Sequence, residues 1–151
     1  MKQYIGTKLI EAVPAIRKGD EVYEKTQPIP RSMEPEEDGY KVRYPDGYES
    51  FSPKQVFEEA YRPPDGMSFG LAIEAAKKGM KIARAGWNGK NQHVELACCI
   101  SYLTKGGFHV NVNHNAIGNN ALAFVGTSGV QLGWLASQAD MLADDWMIVE
   151  G

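Results

Sequence analysis

The clearest hydrophobic pattern in the chain lies in residues 67–90. Its apolar positions recur at the three- and four-residue spacing of one helix face: Leu71, Ala72, Ala75 and Ala76. Ser68 is placed to cap the N-terminus of this helix, and Gly79 to end it in a left-handed conformation. A strand over residues 80–85 is expected next. The segment therefore predicts a short amphipathic helix, a glycine turn and a strand.

The N-terminal part of the chain predicts a strand, a loop and a hairpin with a helix. Partial alternation indicates a strand over residues 2–13, and residues 14–23 suggest a short helix or a turn. Three prolines and an acidic run make residues 26–38 a solvated loop. The elements expected next are a strand at 40–44, a turn at 45–47, a return strand at 48–51 and a helix at 54–60, which Ser52 caps and Pro53 begins.

The C-terminal part of the chain predicts mainly strands. They are expected at 92–103, at 108–113 as a half-buried strand, at 121–125 and 130–134 as a hairpin, and at 146–149, with a short helix after residue 137. Consecutive prolines at positions 63 and 64 cannot continue a helix and mark a boundary. We therefore expect a small strand–hairpin–helix module over residues 1–62, a linker over 63–66 and a core domain over 67–151.

The charge balance limits the classes of partner. The net charge is −3 and the pI is about 5.6, which argues against binding to a nucleic acid polymer. No apolar run approaches the length of a membrane span, and residues 1–11 lack the apolar core of a signal peptide. A cytosolic protein without a membrane partner is expected. The adjacent Cys98 and Cys99 suit neither an ordinary disulfide nor a zinc site, so reduced thiols are expected.

The sequence lacks the motifs of the common metal and hydrolytic sites. His109 and His114 match no recurrent zinc spacing, and no nucleophile elbow or phosphate-binding loop occurs. We therefore expect no metal, no cofactor and no catalytic residue. The alternative, a nucleotide-processing enzyme, stays open, with Asp140 or Asp144 as its general base.

Aromatic, amide and hydroxyl side chains are concentrated in two segments: Trp87 with Asn88 between glycines, and Trp134 with Ser137 and Gln138. A stacking indole, an amide and a small hydroxyl are the groups with which a pocket holds a purine and sugar hydroxyls. Tryptophans beside apolar neighbours, such as Trp134 and Trp146, are more often core residues. Residue pattern alone leaves both interpretations open.

Two long motifs resemble the phage anti-defence proteins that counteract Thoeris immunity, of the second described type. They are M-S-F-G-x-A-I-E-A-A-K-K-G-x-K-I-A-R-x-G-W-N-G-K at residues 67–90 and W-x-x-S-Q-A-D-M-L-A-x-D-W at residues 134–146. The resemblance covers residues 67–150. Residues 98–129 are longer and richer in asparagine and glycine than in a minimal member, so no residue role is carried over there. Within residues 1–62, the unit GYKVRYPDGYESFSPKQVFEEAYR at residues 39–62 resembles a small module that recurs in phage-encoded proteins.

The resemblance implies a small α+β protein. With the pattern of elements along the chain, the expected fold is an antiparallel β-sheet core with a short N-terminal helix packed on it, preceded by a small β-hairpin and helix module. It also implies a sponge without catalytic activity, which binds a cyclic ADP-ribose isomer made by a bacterial TIR-domain protein and holds it without cleavage. Some relatives also bind cyclic oligonucleotides, so cyclic di- and trinucleotides are further candidate ligands. Members assemble as homotetramers, and the host bacterial cytoplasm is the expected location.

The resemblance further implies which residues bind the signal. Trp87 stacks on a base, Phe69 forms a second apolar wall, and a site at a subunit interface draws its groups from two chains. The other expected ligand-binding residues are Asn88, Arg84, Trp134, Ser137, Gln138 and Asp140. Arg84, Lys81 and Lys90 are candidate phosphate partners, or else solvated charges at strand ends.

A third functional alternative is a structural or protein-binding phage component whose contact surface is the N-terminal hairpin.

Overall fold

The computed structural model of the protein describes residues 1–87, 91–116, 118 and 120–150. The chain divides into two compact units, Met1–Arg62 and Pro63–Gly151. The first unit combines an antiparallel sheet with one short helix, and the second combines antiparallel sheets with two, so the fold class is α+β. None of the helices in the described ranges is long and apolar enough to cross a membrane.

The first unit is a four-stranded antiparallel sheet with one helix. Its elements are β1 (Glu11–Lys18), β2 (Glu21–Glu24), β3 (Glu36–Arg43), β4 (Glu49–Pro53) and α1 (Lys54–Ala60). The strand order in the sheet is β2-β1-β3-β4. Phe57 of α1 stacks between Tyr40 and Tyr61, with ring centroids 4.0 and 5.0 Å apart. The predicted helix at 54–60 is confirmed, and this aromatic stack attaches it to β3.

Of the helix or turn predicted for residues 14–23, the helix is wrong: these residues form most of β1 and β2, with a turn at residues 19 and 20 between the strands. Pro14 lies inside β1, and its nitrogen faces the β2 side, because its carbonyl accepts a hydrogen bond from the Lys25 N–H at 3.1 Å. The pairing of β1 with β2 starts at Ala15 and Glu24, so the missing N–H of Pro14 lies just beyond that pairing and leaves the pairing with β3 intact. Gly19, with φ of +60°, forms the turn between the two strands. Ser52 lies in β4 and does not cap α1, whose N-cap is Pro53.

The second unit is built on a five-stranded antiparallel sheet. Its strands are β5 (Lys81–Arg84), β6 (His93–Ala97), β7 (Tyr102–Leu103), β8 (His109–Val110), β9 (Ala121–Gly126), β10 (Gly129–Leu132) and β11 (Trp146–Val149), and its helices are α2 (Phe69–Lys77) and α3 (Gln138–Met141). The large sheet has the order β10-β9-β6-β5-β11, and β7 and β8 form a separate hairpin. The predicted hairpin at 121–134 and the predicted final strand are confirmed.

The ends of α2 lie where the sequence predicts them. The Ser68 hydroxyl accepts a hydrogen bond from the Leu71 N–H at 3.3 Å. Gly79 has φ of +91°, and the N–H groups of Gly79 and Met80 bond back to carbonyls in the last helical turn, as in a Schellman motif. The inner face of the helix is fully or almost fully buried: Ala72, Ala75 and Ala76. This face packs against the sheet, where it meets the apolar core of the unit.

The region between β6 and β9 departs from the predicted pattern. The strand predicted over residues 92–103 ends at Ala97, and β7 begins afresh at Tyr102. The strand predicted over residues 108–113 is only the two-residue β8, and it is not half-buried, since Phe108 is 75% exposed. Alternation puts apolar side chains on a common face, but burial also needs another element to cover that face.

Candidate functional site

Five aromatic side chains of the second unit form what we call the aromatic cluster: Phe69, Trp87, Phe124, Trp134 and Trp146. Trp146 lies at its centre and is 0% exposed. The Trp146 ring centroid is 5.3 Å from that of Phe69, 5.5 Å from that of Trp87 and 6.2 Å from that of Trp134. Side chains from the segments around residues 67–90 and 134–146 therefore meet at one buried indole.

Phe69 reaches this indole because the chain before α2 is fixed beside β11. The Met67 N–H donates to the Trp146 carbonyl at 2.8 Å, and the Trp146 N–H donates to the Met67 carbonyl at 3.1 Å. Two residues later the first turn of α2 begins, so the Phe69 ring lies against the Trp146 ring at an interplanar angle of 48°.

Trp87 is half-buried and follows the end of β5. Its N–H donates to the Arg84 carbonyl at 3.2 Å, which closes a turn after the strand. The Trp87 ring makes edge-type contacts at 63° with Phe124, 70° with Trp134 and 77° with Trp146, a favoured geometry for aromatic pairs. Within the described residues no aromatic ring stacks in parallel on Trp87. No described aromatic ring therefore occupies the parallel stacking position on this indole.

Trp134 joins the cluster because a sharp turn follows β10. Gly133 has φ of +82°, a conformation that glycine adopts at little cost. The N–H groups of Gly133 and Trp134 both donate to the Leu122 carbonyl of β9, each at 2.9 Å. The turn brings the Trp134 ring centroid to 6.0 Å from that of Trp87, and Trp134 remains partly exposed.

Arg84, the last residue of β5, bridges two carboxylates from the C-terminal segment. Its Nε donates to Asp145 Oδ1 at 2.9 Å, and its Nη1 donates to Asp140 Oδ1 at 3.1 Å. The hydrogen bonds to Asp145 and Asp140 raise the pKa of Arg84, so the guanidinium stays charged. We call Arg84, Asp140, Asp145 and Ser137 the polar network.

A capping box holds the start of α3. The Ser137 Oγ accepts a hydrogen bond from the Asp140 N–H, and Asp140 Oδ2 accepts one from the Ser137 N–H, both at 3.1 Å. The Trp146 indole N–H donates to the Asp140 carbonyl at 2.8 Å. Asp140 therefore ties the polar network to the centre of the aromatic cluster.

Both carboxylate oxygens of Asp140 are engaged, one by Arg84 and the other by Ser137. Burial acts to raise the pKa of Asp140, but the hydrogen bonds from Ser137 and Arg84 and the positive charge of Arg84 outweigh it. The pKa of Asp140 is therefore held below its ordinary value of 3.8. A general base near neutral pH works best with an accessible oxygen and a pKa close to that pH. This geometry disfavours Asp140 as a catalytic base.

The structure brings most of the expected ligand-binding residues into these two groups. Three belong to the aromatic cluster: Phe69, Trp87 and Trp134. Three belong to the polar network: Arg84, Ser137 and Asp140. Gln138 is the exposed first residue of α3, and Lys81 pairs with Val149 in the sheet. Asn88 and Lys90 lie outside the described residues.

Sequence reasoning did not find three residues that hold this region together: Phe124, Asp145 and Trp146. Asp145 and Trp146 are the last two residues of the second motif, so their motif positions were the available signal. The sequence favours a core position for Trp146, and the ring is indeed buried, but it also organises the site. Phe124 gives no signal beyond an apolar position in β9.

Metal chemistry has little support in the geometry. Within the described residues, no three His, Cys, Asp or Glu side chains are grouped so that they could hold a metal ion. Cys98 and Cys99 are free thiols, and the hydrogen bond with Cys98 raises the pKa of the Cys99 thiol. The His114 Nδ1 lies 2.9 Å from the Cys99 carbonyl. The described site offers aromatic contact and hydrogen bonding.

Comparison with known proteins assigns the second unit to a family. The family model of the Thoeris anti-defense 2-like domain matches residues 67–149. The chain is also 40% identical over 86 residues to Thoeris anti-defense 2 of Bacillus phage SP01, a match that covers 55% of this chain and 94% of that protein. The chain belongs to the Thoeris anti-defense 2-like family, which confirms the resemblance carried by the two motifs. Membership in this family supports a phage anti-Thoeris function.

Proposed function

We propose that this protein is an anti-defence sponge, which binds a cyclic ADP-ribose-type immune signal and holds it without cleaving it. Such a ligand carries a flat base, ribose hydroxyls and phosphates. Its site therefore needs an aromatic surface beside a few hydrogen-bonding groups. The aromatic cluster and the polar network, joined at Asp140, supply this combination within the region that matches the family.

The observation that carries the proposal is the half-buried indole of Trp87. Edge contacts with Phe124, Trp134 and Trp146 hold this ring in place, so little conformational freedom is lost when a ligand binds. A base that takes the parallel stacking position on Trp87 gains about 1–3 kcal/mol. Phe69 contributes a second apolar wall in this proposal.

Polar groups beside the cluster suit the sugar hydroxyls and phosphates of such a ligand. The Ser137 hydroxyl accepts a capping bond and still has its own proton to donate. Gln138 is exposed and offers an amide. Arg84 donates two N–H groups to the carboxylates of Asp145 and Asp140, which positions the start of α3. In this proposal its remaining N–H groups bind a phosphate. Asn88 completes the proposed set.

Sequestration without cleavage agrees with the chemistry of the site. The carboxylate of Asp140 is engaged on both oxygens and its pKa is lowered, which removes the nearest candidate base. A sponge needs no nucleophile, metal or cofactor, only enough tight binding to lower the free signal concentration.

The proposal extends to assembly and setting. The core domain over residues 67–151 binds the signal as part of a homo-oligomer, a tetramer, in the host bacterial cytoplasm. Cyclic di- and trinucleotides are a second proposed ligand class, while membranes and nucleic acid polymers are not proposed partners. Residues 1–62 form a separate module, joined through the linker at 63–66.

A thermal-shift screen against cyclic ADP-ribose isomers and cyclic di- and trinucleotides tests the proposal. Specific binding stabilises the folded state by mass action, so the matching ligand raises the unfolding temperature of the wild-type protein. Trp87→Ala is expected to remove this shift, since stacking on one base accounts for about 1–3 kcal/mol. Phe108→Ala is the matched control, because it removes another aromatic ring that is 75% exposed and lies outside the site.

Circular dichroism checks that Trp87→Ala is folded, and Trp87→Phe, which keeps an aromatic face, is expected to recover part of the shift. A folded Trp87→Ala variant that keeps the full shift contradicts the proposed site. If deletion of residues 1–62 abolishes anti-Thoeris activity while Trp87→Ala preserves it, the protein-binding alternative replaces the sponge.

A further inference from the structure

β10 is an edge strand of the five-stranded sheet, and none of the described strands pairs with its outer side. All four of its residues are exposed, Val130 to 67% and Leu132 to 45%. None of the four carries a charge. An uncharged edge strand with exposed apolar side chains is a template for pairing with another strand.

The other edges of the two larger sheets are blocked in ways that prevent such pairing. The segment before α2 covers β11, where the Ile148 N–H donates to the Pro64 carbonyl at 2.7 Å. β2 has a glutamate at each end, and β4 begins with Glu49 and ends with Pro53. Charges, prolines and covering segments are the usual protection of sheet edges. β10 has none of this protection: its four residues include no charge and no proline, and the backbone hydrogen bonds of the described residues join no further segment to its outer side.

The register of the β9–β10 hairpin identifies the backbone groups at this edge. The Gly133 N–H donates to the Leu122 carbonyl at 2.9 Å, so Gly133 directs its backbone groups toward β9. Antiparallel ladders alternate, so Gln131, opposite Phe124, does the same. Val130 and Leu132 lie between these positions and direct their N–H and C=O groups away from the sheet.

The sequence of the edge is complementary to itself. Around Gln131, the order Gly129-Val130-Gln131-Leu132-Gly133 has the same polarity in both directions. A two-fold axis at Gln131 places Val130 opposite the partner's Leu132, and Leu132 opposite the partner's Val130. Both pairs then join outward-facing backbone groups, which gives about four hydrogen bonds of the antiparallel type.

We propose that two copies of this chain associate by antiparallel pairing of β10 with β10. The contact doubles the five-stranded sheet and covers Val130 and Leu132 with their counterparts. The inference rests on the proposed homo-oligomer and identifies β10 as the strand that forms one contact between its copies. This contact does not depend on which ligand is bound. Because β10 runs directly into Gly133 and Trp134, the second copy lies next to the candidate site.

The mass of the ligand-free, full-length protein by light scattering gives the first test. The double variant Val130→Lys, Leu132→Lys places charges on the edge, and both side chains are exposed in the single chain. Its mass is expected to fall by about a factor of two relative to the wild type. Val112→Lys, at an apolar residue 59% exposed elsewhere, is the matched control and is expected to leave the mass unchanged.

Disulfide cross-linking tests the register and does not depend on the lysine variant. Gln131→Cys is made in a Cys98→Ser, Cys99→Ser background. Residues paired across the axis without hydrogen bonds have Cα atoms about 4.5 Å apart, which suits a disulfide. Mild oxidation is expected to give a covalent dimer, whereas Val130→Cys in the same background is expected not to.

Three results overturn the proposal. They are a monomeric wild-type protein, an unchanged mass for the double lysine variant, and failure of Gln131→Cys to cross-link. Ligand binding is measured separately, by thermal shift. A protein that binds the signal but fails these tests loses the β10 contact and keeps the proposed sequestration of the signal.

Discussion

The two units are both antiparallel sheets with a packed helix, but they use charged side chains differently. In the first unit, ion pairs such as Arg17 with Glu37 lie on the sheet surface, where these side chains are 44% and 42% exposed. In the second unit, Arg84 is 24% exposed and Asp140 16%, and the pair is fixed beside the buried Trp146. Exposed ion pairs contribute little to stability, whereas a pair held among hydrogen bonds can position its neighbours. The Arg84–Asp140 pair of the second unit therefore belongs to the candidate site, while the Arg17–Glu37 pair of the first unit lies on a surface.

The largest loss of stability is expected when the central ring of the aromatic cluster is removed. Trp146→Ala removes a fully buried ring and its indole hydrogen bond to Asp140, and should destabilise the second unit by about 3–5 kcal/mol. Trp87 and Trp134 remain in the variant, and all three tryptophans of the chain lie in the second unit. Tryptophan fluorescence during urea unfolding therefore reports on this unit.

The matched variant in the first unit is Tyr48→Ala, at an aromatic ring that is 64% exposed. It should change the free energy of unfolding by less than about 1 kcal/mol, followed by circular dichroism. Equal effects of Tyr48→Ala and Trp146→Ala would remove the distinction between an organised cluster and a surface ring.

A smaller effect is expected from the charge of Asp140. The lowered pKa of Asp140 means that its stabilisation is fully present above 3.8 and is lost as the pH falls through the pKa of the folded state. Asp140→Asn should cost about 1–2 kcal/mol near neutral pH and lose less stability on acidification than the wild type. Urea unfolding from neutral pH down to about pH 2.5 measures both quantities.

Asp38 offers the comparison in the first unit. The hydrogen bond with Lys25 lowers the pKa of Asp38 despite the opposing effect of burial, but its side chain is 46% exposed. Asp38→Asn should therefore change the acid limb of the unfolding curve less than Asp140→Asn does. The reverse order would show that the surface pairs of the first unit hold their carboxylates more firmly than the site does.

A still smaller effect is expected from the surface pair itself. Arg17→Ala removes the partner of Glu37, and the cost should lie between about 0 and 1 kcal/mol, shrinking as salt is added. Urea unfolding at low and high ionic strength, followed by circular dichroism, gives this value. A salt-independent loss would indicate that Arg17 acts through its contact with the Phe51 ring, whose centroid lies 4.8 Å from the guanidinium.

The smallest effect concerns ligand binding by residues 63–151 alone. The family match begins at residue 67, and the matched region covers 94% of the phage SP01 protein. The fragment should keep the ligand-induced thermal shift of the full chain. Loss of the shift in a folded fragment would make the first unit part of the binding function.

Local signals predicted the structure well where they act within a few residues. Ser68 caps α2 and Gly79 ends it, because a hydroxyl acceptor and a left-handed glycine are local requirements. The alternation over residues 108–113 was interpreted wrongly, since periodicity states which side chains share a face and not whether anything covers it.

The partners of the candidate site lay beyond the reach of local patterns. Arg84 was expected to meet a phosphate or solvent, but its described partners are Asp140 and Asp145, which lie 56 and 61 residues further along the chain. Antiparallel pairing of β5 with β11 places Trp146 opposite Arg84, and no spacing rule reveals such a register. The residue pattern and the family resemblance identified Trp87 and Ser137 as candidates, while the structure supplied the contacts that hold them.

The central claim is that the protein holds an intact signal, and the most direct test measures what is released. The wild-type protein is incubated with the cyclic ADP-ribose isomer that stabilises it, separated from free ligand and denatured. The account predicts that the bound material is recovered as uncleaved cyclic signal, and that Trp87→Ala retains little of it. Recovery of a linear or hydrolysed product would contradict sequestration and make the protein an enzyme.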